Sequence, residues 1–173
     1  MKISLAVAVL GNALALAAGS AAAVDFPPLK AGLWESQVAR EGTAAKGPAM
    51  KMCMDASLQK EMMDAGMGQM KELCAKNEIR REGNRMYGSA ECRFGESTMK
   101  STSVTTFTGD TAYHIDIKAT YDPPMAGKSS GSTAIDAKWT GPCPAGMQSG
   151  DVLLPDGRKV NMRAAAQAPK APK

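Results

Sequence analysis

Four cysteines, Cys53, Cys74, Cys92 and Cys143, stand downstream of an N-terminal stretch that reads as an export leader, and this pairing limits the fold more than any other feature. Lys2 supplies a short positive region, "ISLAVAVLGNALALAAG" is an apolar run of small and aliphatic residues, and "GSAAAVD" offers an A-x-A site. These are the parts of a secretory signal peptide cleaved after Ala23. Its extreme N-terminal position and the cleavage site beside Asp25 separate it from a transmembrane helix, and no second long apolar run follows. Val24 occupies the position where a lipid-anchored protein would carry cysteine. The expected location is therefore the bacterial periplasm, where an even number of cysteines reads first as two disulfides.

The organisation expected is a signal peptide over 1–23, one domain over 24–163 and an unfolded Ala/Pro/Lys tail over 164–173. Without Lys2 the 21 basic residues become 20 against 17 acidic ones, a net of +3, too mild to call for a nucleic-acid partner. Aromatic residues are scarce and glycines number 17, so the core is expected to be thin and supplemented by the disulfides.

Strand-like segments recur between turn signals. "GLWESQVAR" puts Trp34, Ser36 and Val38 on one face, and "MKMCM" alternates Met50, Met52 and Met54 with Lys51 and Cys53. Asp55 then serves as N-cap to a helix beginning in "ASLQKEMMDAG", which Gly66 and Gly68 are expected to end near Ala65. "CAKNEIR" and "RMYGSAEC" flank a turn at Gly83 and Asn84. A three-residue loop there sets Cys74 directly opposite Cys92, at a separation a disulfide accepts; a two-residue Gly-Asn loop places the two on opposite faces. In the first case Cys53 and Cys143 form the remaining pair.

A second hairpin joins "STMKSTSVTTF" to "AYHIDIKATY" through a two-residue Gly-Asp loop, so that Tyr113, Ile115, Ile117 and Tyr121 share a face opposite Val104, with His114, Asp116 and Lys118 on the other. After a long loop, "DPPMAGKSSG", Ile135, Ala137 and Trp139 continue the apolar alternation, and "VLLPDGRKVNM" is a last short hairpin. The fold class is mainly β, a β-rich α+β arrangement: an antiparallel meander of about seven strands with one inserted helix and two disulfides. It either curls into a small barrel or packs on the helix, and a Cys53–Cys143 bridge favours closure.

In their order, "LKAGLWE", "KMCMDAS" leading into a helix, Cys74, "AEC" ending a strand at Cys92, "WTGPCPAGM" and "LPDGRKVNM" resemble the bacterial exported family called domain of unknown function 3617. The resemblance runs from Leu29 to about Met162. It implies a periplasmic or envelope-associated β-rich protein with methionine-rich loops, and it carries no reaction, ligand or site residue.

Chemistry is sparsely signalled. The single histidine, His114, lies near Asp116 and Thr105 on the face away from the apolar one, which meets only part of what a nucleophilic triad needs. The common phosphate, dinucleotide, zinc-protease and C-x-x-C patterns are absent from the sequence. No catalytic residue is assigned and no enzymatic activity is expected. Between Met50 and Met70, seven of 21 residues are methionine. Thioethers are soft ligands suited to Cu(I), and Met63, Met67 and Met70 fall at i, i+4 and i+7 on one helical face. The same spacing suits inward packing, for which methionine is an adaptable filler, and this is the leading reading of the trio. Lys76, Arg80, Arg81 and Arg85 cluster with Glu78 and Glu82 on one hairpin, as a solvated mixed-charge surface does. What emerges is a non-enzymatic binding or envelope-maintenance module. Its partner is either a small apolar ligand, held by Trp34, Tyr113, Ile115, Ile117 and Trp139, or an envelope component.

Overall fold

The computed structural model describes residues 25–41 and 47–167; the expected signal peptide, and the tail beyond 167, lie outside the described residues. Nine strands form one antiparallel sheet. In chain order they are β1 (Gly32–Arg40), β2 (Met50–Met54), β3 (Cys74–Glu82), β4 (Arg85–Phe94), β5 (Ser97–Thr108), β6 (Ala112–Met125), β7 (Lys128–Gly141), β8 (Asp151–Leu153) and β9 (Lys159–Asn161). Helix α1 (Ala56–Leu73) sits between β2 and β3, and a short α2 (Met162–Gln167) follows β9, so the expected tail starts inside a helix. Across the sheet the order is β3-β4-β5-β6-β7-β1-β2-β8-β9.

The sheet is open, against the closure that the Cys53–Cys143 bridge suggested. Helix α1 explains why closure is unnecessary. It leaves the sheet at β2 and re-enters at β3, and these strands stand six positions apart. Six steps of ~4.8 Å make roughly 29 Å; an 18-residue helix is about 27 Å long, and with the ~3 Å of the linking Asp55 it spans the sheet between those strands. The apolar face is thereby covered by a helix instead of by the far side of a barrel.

Both disulfides have the expected partners, Cys53–Cys143 and Cys74–Cys92. The route to the second differs from the three-residue loop. Glu82 faces Arg85, so Gly83 and Asn84 form a two-residue turn, with Gly83 at φ +59° and no left-handed Asn84. That is the pattern of a hairpin turn that needs glycine at its first central position. On this register alone the cysteines would be out of phase. An irregularity between Cys74 and Lys76 leaves one extra residue on β3 and restores Cys74 opposite Cys92.

The β5–β6 loop also differs by one residue. Thr108 pairs with Ala112, which makes a three-residue loop of Gly109, Asp110 and Thr111 where two residues were expected. The longer loop presents its carbonyls as acceptors: Lys30 N donates to Asp110 O at 2.9 Å and Trp139 N to Thr111 O at 2.7 Å. Val104 consequently faces Asp116, and Ile115 faces Thr105. Between β6 and β7 the long loop is absent; both strands continue to a two-residue turn at Ala126 and Gly127, with the pairing irregular between Thr120 and Met125.

Asp55 caps α1 as expected, accepting from Leu58 N at 2.8 Å. The helix then passes through Gly66 and Gly68 to Leu73, although such residues cost about 1 kcal/mol each relative to alanine. Nothing would touch a Cβ at either glycine, so packing does not require them. The following residue, Cys74, is covalently tied to β4, which holds the C-terminal end of α1 against the sheet. Trp34, Met54, Leu58 and Ala137 form the buried cluster, with Leu29, Met52, Tyr113 and Trp139 packed around it.

Candidate functional site

Between α1 and the sheet lies a cavity of about 320 Å³. Its floor is a set of side chains that strand alternation puts on one face: Ile79 of β3, Met86 and Gly88 of β4, Ser103, Thr105 and Phe107 of β5, and Tyr113 and Ile115 of β6. Met52 and Met54 of β2 close one end, and Gln59, Met62 and Met63 of α1 form the roof. Gly88 and Ser103 are in close contact on this floor: a Cβ at Gly88 would come within 2.6 Å of Ser103 Oγ, so the hydroxyl takes the place a side chain at 88 would need.

Phe26, Pro27 and Leu29, which precede β1, complete the wall as a strap. Gln59 fastens it to α1 with both ends of its amide: Leu29 N donates to Oε1 at 3.0 Å, and Nε2 donates to Pro27 O at 3.1 Å. Downstream, the indole N–H of Trp34 reaches Lys30 O at 2.8 Å, and that of Trp139 reaches Ala31 O at 3.0 Å. The Lys30 ammonium lies 4.0 Å from the centre of the Trp139 ring. At the other end Arg81 Nη1 donates to Asp25 O at 3.2 Å.

Among the described residues lining the cavity none carries a charge, and five of the 17 are methionines. Burial pushes the Tyr113 phenol above its ordinary pKa, so it stays a neutral hydroxyl at physiological pH. Tyr113 also stacks on Trp34, with ring centres 5.7 Å apart.

The expected ligand face is thus divided. Tyr113 and Ile115 line the cavity, while Trp34 is buried core at its edge, Trp139 packs outside it, and Ile117 is half-buried one row beyond. Sequence reasoning missed the floor residues Ile79, Met86, Ser103, Thr105 and Phe107, the roof residues Gln59 and Met62, and the strap, Phe26, Pro27 and Leu29. For the strap the signal was faint: three apolar residues in the few positions between the leader and the first strand.

The methionine trio is divided as well. Met63 opens on the cavity and on an adjoining groove, Met67 lines that groove beside Phe26 and Asn77, and Met70 Sδ lies 3.7 Å from Cys74 Sγ. The cavity instead gathers methionines from three elements, Met52 and Met54, Met62 and Met63, and Met86.

His114 is on the opposite face of the sheet. Its Nδ1 lies 2.7 Å from Asp136 Oδ1 and its Nε2 3.2 Å from Asp116 Oδ1; the cross-strand neighbour is Thr106 instead of the expected Thr105, a result of the three-residue loop. The hydrogen bond with Asp136, reinforced by Asp116 and opposed by partial burial, raises its pKa. The basic hairpin is internally paired, Arg80 with Glu82 and Lys76 with Glu91 at 3.5 Å, and Arg80 lies 4.1 Å from the centre of the Tyr87 ring.

These features define a class: a disulfide-stapled, open antiparallel sheet braced by one helix, with an uncharged cavity between them. The chain matches, over residues 29–143, the family model described as protein of unknown function, DUF3617, and it belongs to that family. No curated protein and no solved structure matches it. Among the described residues no helix is long and apolar enough to cross a membrane.

Proposed function

We propose that this chain is an exported, periplasmic, non-enzymatic protein that holds a small uncharged apolar molecule between α1 and the sheet. The observation that carries this reading is the cavity itself. At about 320 Å³ it falls at the small end of the range typical of ligand sites, and its wall is aliphatic, aromatic and thioether with a few hydroxyl and amide groups. A charged ligand would leave its charge unpaired there, at large cost. The methionines suit an adaptable wall, because their unbranched side chains re-pack around different shapes. The leader-like N-terminus and the two bridges support export into an oxidising compartment.

Native mass spectrometry of protein taken from its own periplasm tests the reading, together with uptake of the fluorescent apolar probe N-phenyl-1-naphthylamine. Ser103→Phe is expected to project a ring from the floor into the cavity and abolish uptake while circular dichroism and melting temperature stay near those of the parent. Uptake unchanged in a folded Ser103→Phe protein would refute the assignment to this cavity.

A further inference from the structure

We infer that the cavity is a site of methionine oxidation, with Met62 and Met63 as the residues modified first, and that their sulfoxides expel the bound molecule. The inference rests on the binding role proposed above. All four cysteines are in disulfides, so the chain has no thiol to take up an oxidant ahead of its thioethers.

The cavity methionines differ in access. Met62 is 38% exposed, Met63 beside it on α1 and Met52 at the end of the cavity are half-buried, and Met54 and Met86 are 7% and 5% exposed. A peroxide arriving from solvent therefore meets the roof before the floor. In the reaction the thioether sulfur attacks one peroxide oxygen and the O–O bond breaks. Hydrogen peroxide is reduced to water, and the sulfur, losing two electrons, becomes a sulfoxide. The product is uncharged but strongly polar and chiral, and it stands in a wall that is mostly apolar. Because reductases return methionine sulfoxide to methionine, the change is reversible. Met50, Met125 and Met162, 37–38% exposed and outside the cavity, provide internal controls for reactivity without consequence.

The test uses the mature, disulfide-bonded protein, titrated with hydrogen peroxide, with peptide mass mapping and N-phenyl-1-naphthylamine binding measured on the same samples. Met62 and then Met63 are expected to oxidise ahead of Met54 and Met86, with probe affinity falling about tenfold when both roof residues are sulfoxides, the cost of setting polar groups against an apolar molecule. Methionine sulfoxide reductase should restore binding. The affinity of M62L/M63L, measured against that variant's own untreated value, should not fall at the same peroxide dose, while Met50, Met125 and Met162 still oxidise. Unchanged affinity with Met62 and Met63 oxidised, or equal loss in the leucine variant, would overturn the inference. No uptake by the unoxidised protein would instead overturn the binding role, and the order of oxidation would still be readable from the masses.

Discussion

Replacing Gln59 by alanine should release the strap without unfolding the sheet. Upstream of Lys30, Gln59 supplies two hydrogen bonds to the strap and Arg81 one, with the Arg81–Asp25 ion pair at 3.8 Å and Asp25 91% exposed. A surface pair of that kind contributes little. Each Gln59 bond is part-buried and is worth about 0.5–1.5 kcal/mol, so losing both costs about 1–3 kcal/mol. The equilibrium for local opening of residues 25–29 then rises about 5- to 150-fold. Lys30 and Ala31 keep their ties to Asp110, Trp34 and Trp139, which confines the opening to the segment before them. Amide exchange reads this directly: the Leu29 N–H should lose protection, while amides of β6 and β7 keep theirs. Gln59→Glu separates the two bonds, because its carboxylate still accepts from Leu29 N but has no donor for Pro27 O. In that variant Leu29 should stay protected and the strap should loosen by about half as much in free energy. Unchanged Leu29 exchange in Gln59→Ala would refute the clamp. An equal rise in exchange across β6 would show that Gln59 supports the whole core instead.

Three further outcomes follow from the same geometry. Removing Cys53–Cys143 by paired serine substitution should cost more in urea unfolding than removing Cys74–Cys92: with separations of 90 and 18 residues, unfolded-chain entropy gives about 4.6 against about 3.2 kcal/mol, and the reverse order would contradict that account. Leu58→Ala should destabilise by about 2–5 kcal/mol in the same assay, since Leu58 is 2% exposed at the join of α1, Trp34 and Met54. Folding raises the His114 pKa above 6.5, chiefly through Asp136, so its contribution is complete below pH 6.5 and is lost as pH rises through the folded value. Melting temperature should therefore fall modestly as pH rises above 6.5 in the parent, and His114→Gln should flatten that slope.

The pairing of Cys74 with Cys92 was legible in the sequence, but the reason was not. Alternating residues and a Gly-Asn turn identify a hairpin, yet register depends on one extra residue in β3, and the unpaired Ala75 has no distinctive chemistry to announce it. The β5–β6 loop shows the same limit from the other side. Its length is set by distant donors, Lys30 and Trp139, whose approach no local pattern records. Periodicity did identify the apolar face of β6, and the helical spacing of Met63, Met67 and Met70 did mark the inward side of α1. What periodicity cannot supply is the distance between that helix and that face, which decides whether the space between them is filled or open. Here that distance follows from connectivity. Helix α1 begins one residue after β2 and ends directly before β3, so both ends are fixed to the sheet by the chain, and the Cys74–Cys92 bridge secures the second. A helix held at both ends cannot settle freely onto a floor of small residues such as Gly88 and Ser103, and the gap is left to flexible methionines and to the strap before β1. The methionine-rich segment supplies four of the five methionines that line this gap, Met52, Met54, Met62 and Met63, and their unbranched side chains adapt to the rigid rings of Phe26, Phe107 and Tyr113 in the same wall without closing the space between helix and sheet.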